Sequence, residues 1–183
     1  MFLKKRGALT IQRIKDLWAH GYIKSDTEFD DGQIQPASLD LRLSKKCWQI
    51  SASFLPGKYK QVNQKLSTLS TKEIDIEEEK LLEKGCIYIV ELQEKLELPE
   101  GLSGIANAKS STGRLDILTR LITDNSNCFD RISAGYKGKL YVEIAPISFS
   151  IIIKSGITLN QLRFHYNQNI LSDEELNHLN LNE

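Results

Sequence analysis

At Ser38 the hydrophobic period of this chain changes to two, and no other feature constrains its fold as tightly. Leu39, Leu41 and Leu43 alternate with Ser38, Asp40 and Arg42, the pattern of a half-buried strand with one apolar and one polar face. Before that point the period is helical. Ile11, Ile14, Leu17 and Trp18 share one face of a segment over residues 10–23, with Thr10 placed to cap its start and Gly21 to end it. Further short strands are predicted at 47–54, 86–92, 140–145, 149–153 and 159–164, set apart by turn signals such as Pro56-Gly57, Pro99-Glu100-Gly101 and Ser155-Gly156. The acidic stretch from Glu73 to Glu83 reads as a solvated loop or strand edge. One early helix followed by many short strands predicts a mainly β protein, a distorted barrel or double-sheet roll with an N-terminal helix.

The chain has 183 residues, with 24 Lys and Arg against 24 Asp and Glu. That length suits one domain with a core of its own. The balanced charge argues against wholesale binding to nucleic acid but leaves room for a local basic pocket. No membrane partner is expected either: no apolar run, that around residues 151–153 included, is long enough to cross a bilayer. Met1-Phe2-Leu3-Lys4-Lys5-Arg6 has no apolar stretch behind it to make a secretory signal. Cys47, Cys86 and Cys128 are widely spread and form no C-x-x-C, so they read as reduced packing thiols and the expected location is cytoplasmic. The domain is expected over residues 1–170. Residues 171–183 carry four carboxylates and no Lys or Arg, an acidic C-terminal tail or linker in which Ser172-Asp173-Glu174-Glu175 resembles a capped helix start.

Several chemistries lack their signatures. The chain has no G-x-x-x-x-G-K-[ST], no G-x-G-x-x-G, no G-x-S-x-G and no H-x-E…P-C-x-x-C zinc deaminase pattern, and His20, His165 and His178 are too scattered to suggest a metal cluster. What stands out is Lys109-Ser110-Ser111-Thr112-Gly113-Arg114, where two cations flank three hydroxyls. A helix starting there would aim free backbone N–H groups at the same place, a set suited to an anion. Taken alone, the segment also reads as a capped surface helix. Further on, Gly135 and Gly138 bracket a turn into a strand with Leu140, Val142 and Ile144 on one face and Tyr141, Glu143 and Ala145 on the other. An isolated Glu143 also reads as a solvent-facing carboxylate.

Together these segments resemble successive motifs of the 2′-deoxycytidine 5′-triphosphate (dCTP) deaminases, which share a fold with trimeric dUTPases. The resemblance is carried by Gln35-Pro36-Ala37-Ser38-Leu39-Asp40-Leu41-Arg42-Leu43, by residues 109–114, by the run from Phe129 to Glu143, and by Leu159-Asn160-Gln161-Leu162-Arg163-Phe164. It implies a dUTPase-like barrel and a homotrimer with nucleotide sites between subunits. It also implies hydrolysis of dCTP to dUTP and ammonia without zinc, with Mg²⁺ bound through the triphosphate. By position it implies Glu143 as the base and acid acting on water. Lys109, Ser110, Ser111, Thr112, Gly113 and Arg114 would surround the base and phosphates, with Arg131, Ser133, Tyr141, Val142 and Gln161 as further nucleotide contacts.

Residues 108–116, 118–124 and 135–138 resemble more closely a subfamily in which the domain is duplicated, and this sequence resembles its first copy. Three other readings stay open. One is a non-catalytic or truncated nucleotide-binding half needing a second copy, and another is a dUTPase or bifunctional deaminase-dUTPase, with dUTP or dTTP as ligands. Against dUTPase activity stands Ser133, where the dUTPase motif carries a water-orienting Asp. The third is a β-roll without ligand, in which Glu143 and Arg114 are surface charges.

Overall fold

The structure, a computed structural model, describes residues 7–167 together with Asp173, Asn177 and His178. The capped helix start expected at 172–175 therefore lies, but for Asp173, outside the described residues. The helical period produces α1 (Ile11–Ala19), which buries Ile14 and Leu17. It stops short of residue 23 because Gly21, at φ +73°, lets the chain turn back. The Gly21 N–H donates to the Trp18 carbonyl at 2.9 Å and the Tyr22 N–H to that of Leu17 at 2.9 Å, closing a Schellman motif. Thr10 holds the capping position, but its hydroxyl makes no capping bond.

The strands are β1 (Gly7–Ala8), β2 (Ile23–Ser25), β3 (Ile34–Gln35), β4 (Ser38–Ile50), β5 (Ser70–Asp75), β6 (Lys80–Leu82), β7 (Ile87–Glu97), β8 (Leu102–Ala108), β9 (Ile117–Thr123), β10 (Arg131–Ile132), β11 (Lys137–Pro146), β12 (Ile151–Ile153) and β13 (Thr158–Tyr166). Two short helices join α1: α2 (Val62–Leu69) and α3 (Ser110–Arg114). The expectation of a mainly β fold with an N-terminal helix is met.

The period-two segment is one long strand, β4, where two were expected, and both its faces are covered. Leu39, Leu41 and Leu43 enter the core, yet Ser38, Asp40 and Arg42 are also no more than 9% exposed. The half-buried reading is thus corrected. Glu94 of β7 reaches the polar side, accepting from Arg42 Nε at 2.8 Å, from the Arg42 backbone N–H at 2.9 Å and from Gln33 Nε2 at 2.6 Å. A buried carboxylate is tolerated where donors saturate it in this way.

The main sheet runs β10-β8-β13-β4-β7-β11-β9, with β1, β2, β3 and β5 attached at its flanks and β6 and β12 forming a separate ribbon. Asp130, just before β10 and at φ +60°, draws the two ends of that path together. Its N–H donates to the Leu121 carbonyl at 2.9 Å, its carbonyl accepts from the Ala106 N–H at 2.8 Å, and its Oδ1 accepts from the Leu121 N–H at 2.7 Å. The sheet is thereby curled into a nearly closed barrel around Leu39, Leu41, Val90, Leu140, Val142, Ile144, Leu162 and Phe164.

A second cluster, Ile50, Phe54, Val62, Leu66, Ile89, Ile122 and Tyr141, lies on the outer face of β7, β9 and β11 beneath α2. The acidic stretch lies along β5 and β6, anchored by buried Ile76 and Leu82. Of the cysteines only Cys47 is buried, its thiol pushed up to about 12 by desolvation; Cys86 is half-buried and Cys128 exposed, which corrects the reading of all three as packing residues. Among the described residues no helix is long and apolar enough to cross a membrane.

Candidate active site

Glu143 stands on β11 with Tyr141, facing the second cluster, and is 1% exposed. The solvent-facing alternative is thereby overturned. In the antiparallel register Arg120 of β9 lies directly opposite it. Arg120 donates from Nε at 3.0 Å and from Nη2 at 2.5 Å, both to Oε1 of Glu143, while Oε2 is buried without a partner among the described residues. The guanidinium also donates to Ser53 Oγ at 2.9 Å and lies 4.0 Å from the centroid of the Phe129 ring, a cation–π contact. Burial pushes the Asp130 carboxyl above its ordinary value and the charge of Glu143 adds to this, whereas the Leu121 N–H and Arg120 pull it down. Tyr141 donates to Asn63 Oδ1 at 3.2 Å, and burial raises its phenol well above the usual range.

The segment 109–114 folds at the other end of β9. Lys109 takes the N-cap position of α3, its own N–H bonded to the Leu159 carbonyl at 3.0 Å. The first bond of the turn, from the Gly113 N–H to the Lys109 carbonyl, leaves the N–H groups of Ser110, Ser111 and Thr112 ahead of the helical ladder. Ser110, Ser111, Gly113 and Arg114 are exposed. Thr112 is buried, its hydroxyl donating to the Leu159 carbonyl at 2.9 Å. The Lys109 ammonium is held by the buried carboxylate of Asp40 and by Thr158 Oγ1 at 2.9 Å. Gln161, opposite Asp40 in the ladder, accepts from Ser38 Oγ at 3.3 Å. The structure thus brings Lys109, Thr112 and Gln161 together around β4 and β13.

Other expected residues lie apart from that group. Arg131 and Ser133 are exposed and line a cleft of about 210 Å³ beside β8 with Ser103, Gly104, Ile105 and Ile132. Val142 points into the main core. Among the described residues no hydrogen bond or ion pair joins Glu143 to residues 109–114. Reasoning from sequence did not place Arg120, Ser53, Phe129 and Asp40 in a site, although each touches an expected residue or its partner. The signal for Arg120 was a strand at 117–123 running beside β11, which alternation in so short a run did not bring out. Among the described residues there is no group of three or more His, Cys, Asp or Glu placed to hold a metal ion.

Residues 5–168 match the family model of the 2′-deoxycytidine 5′-triphosphate deaminase (DCD) N-terminal domain. Relatives include the dCTP deaminase of Halorubrum lacusprofundi, 26% identical over 136 residues, covering 73% of this chain and 64% of that protein. The dCTP deaminase, dUMP-forming, of Methanoculleus marisnigri is 27% identical over 155 residues, covering 84% of this chain and 77% of that protein. Among solved structures, 2′-deoxycytidine 5′-triphosphate deaminase from Agrobacterium tumefaciens matches at a TM-score of 0.89 and 45% identity, over 98% of this chain and 54% of that one. The chain therefore spans about half the length of the Agrobacterium protein. Since the family match takes in every strand of the barrel, the chain belongs to the 2′-deoxycytidine 5′-triphosphate deaminase family.

Proposed function

We propose that this chain catalyses hydrolytic deamination of dCTP to dUTP and ammonia as a homotrimer, without zinc. The observation that carries the reading is Glu143, a carboxylate in a motif resembling that of the deaminases, which is 1% exposed and has one oxygen bound while the other has no partner among the described residues. Water alone attacks the cytosine ring slowly, and a positioned carboxylate that accepts one of its protons removes much of that barrier. The water oxygen adds to C4 while Glu143 takes a proton. Glu143 then gives that proton to the exocyclic nitrogen, the C4–N bond breaks, and ammonia leaves. The second proton of the water ends on N3 of the uracil ring, so nothing is oxidised or reduced.

Ser110, Ser111 and Arg114 surround the reacting base and the triphosphate, which brings Mg²⁺ with it as part of the substrate. Lys109, tied to Asp40, adds positive charge behind them. Arg131, Ser133, Tyr141, Val142 and Gln161 complete the nucleotide contacts through side chain or backbone. Two observations favour a site shared between copies. Glu143 and the 109–114 groups do not meet within the described residues of one chain. Leu115, Leu118, Ile147 and Phe149 are also 43–52% exposed, next to a cleft of about 360 Å³ lined by Gly113, Asp116, Leu118 and Ile147.

The test is ammonia release from dCTP and Mg²⁺ by the purified chain. Turnover by the natural chain, falling by about 10²–10⁴ in Glu143→Gln while dCTP binding persists, supports the reading. A flat nucleotide titration by calorimetry overturns it. Binding without turnover, restored by a second-copy protein, would show that activity needs the rest of a longer chain, an outcome the 54% coverage of the Agrobacterium protein keeps in view. Pyrophosphate release would mark a bifunctional enzyme, a second reading favoured by relatives named dUMP-forming.

A further inference from the structure

The ion pair at Glu143 is lopsided. Both donors of Arg120 end on Oε1, and among the described residues Oε2 has no partner in a side chain that is 1% exposed. A guanidinium that served only to neutralise a buried carboxylate would offer its fork to both oxygens, since two parallel bonds satisfy both at once. Leaving a buried oxygen without a donor costs stability, so the arrangement is not what folding alone favours.

Arg120 is also fixed from outside the pair. Its Nη2 donates to Ser53 Oγ at 2.9 Å, its guanidinium carbon lies 4.0 Å from the Phe129 ring centroid, and the ladder sets it opposite Glu143. Ser53 follows β4 and Phe129 precedes β10, so two separate segments hold the guanidinium side-on. Asp130, the other carboxylate near this pair, has Oδ1 bound by the Leu121 N–H.

We propose that Arg120 is the positioning residue of this site: by binding Oε1 alone it fixes the Glu143 carboxylate so that Oε2 takes the proton from water and returns it to the leaving amine. The proposal rests on the deaminase reading above. Arg120 keeps its own proton throughout, so the proton balance of the reaction is unchanged.

The experiment compares the full natural chain with Arg120→Lys, Arg120→Ala and Glu143→Gln. Arg120→Ala is expected to lose about 10²-fold in kcat with little change in KM for dCTP, as misplacement of a catalytic group does. Added methylguanidinium should restore part of that loss. Arg120→Lys should retain more activity than Arg120→Ala but less than the natural chain. An unchanged kcat per folded protein in Arg120→Ala, with only the melting temperature lowered, overturns the proposal.

A second readout needs no substrate. Isotope-edited infrared spectra of carboxyl-labelled Glu, with the Glu143 band identified by its absence in Glu143→Gln, should show widely split carboxylate stretches that draw together in Arg120→Ala. If the natural chain releases no ammonia even with a second-copy protein added, the deaminase reading falls. The infrared result then decides separately whether Arg120 binds one oxygen of Glu143, and an unchanged splitting rejects it.

Discussion

Asp130 shows how much one residue can be asked to do. It occupies the left-handed region at φ +60°, where Asp and Asn are tolerated better than most residues, and its backbone and carboxylate together join β9 to β8. Its carboxyl is raised above the ordinary value by burial, so the folded state holds the proton longer than the unfolded chain does. The stability tied to that proton is complete below the ordinary Asp value of about 3.8 and is lost as the pH rises through the raised folded value. Asp130→Asn keeps the acceptor and the tolerance for positive φ. Its denaturation midpoint should therefore gain on that of the natural chain as the pH rises above about 3.8; a difference that does not change with pH would contradict the assignment.

Lys109 gives a second test at this scale. Its partner Asp40 has a side chain 7% exposed, so Lys109→Met strands a buried charge and should cost about 3–5 kcal/mol in chemical denaturation. Adding Asp40→Asn should recover much of the loss, a coupling that a lysine serving only phosphate would not show. The sequence marked Lys109 as a cation beside three hydroxyls. It did not reveal the partner, because Asp40 lies 69 residues away along the chain.

At the scale of elements, legibility followed the length and regularity of the hydrophobic pattern. α1 and the first half of β4 were readable because each repeats its period several times, whereas Ser44-Lys45-Lys46 break the alternation within β4; Gly21 marked the end of α1 correctly. A methyl group there would meet only the Lys24 Cε at 4.0 Å, so the cost of Gly21→Ala is conformational, about 1–2 kcal/mol by thermal denaturation, and Gly21→Asn should cost less. α2 was missed although Val62, Leu66 and Leu69 stand at helical spacing, because its capping box opens on Gln61 in place of the usual Ser or Thr. The missed helix covers Tyr141: Val62 and Leu66 pack with it, and the Val62 N–H is tied to Asp124 Oδ1 at 2.8 Å. Leu66→Ala should cost about 2–5 kcal/mol through the cavity it leaves.

For the whole molecule, the proposed assembly is the property to measure. Light scattering should give about 62 kDa for three chains of 20.8 kDa. Leu118→Glu, which puts a charge on an exposed apolar position, should shift the protein toward monomer and remove turnover together; a monomeric natural chain that turns over dCTP would refute the shared site. The sequence by itself determined the class of fold, the early helix with its glycine stop, and the candidate status of Glu143 and residues 109–114, because hydrophobic period and local turn chemistry are written in neighbouring residues. Tertiary structure alone decided the closure of the barrel through Asp130, the burial of the polar face of β4 by Glu94, the tie from Lys109 to Asp40, and the hold of Arg120 on one oxygen of Glu143. Each of these joins residues from different strands or loops, and only strand register and packing fix which ones meet.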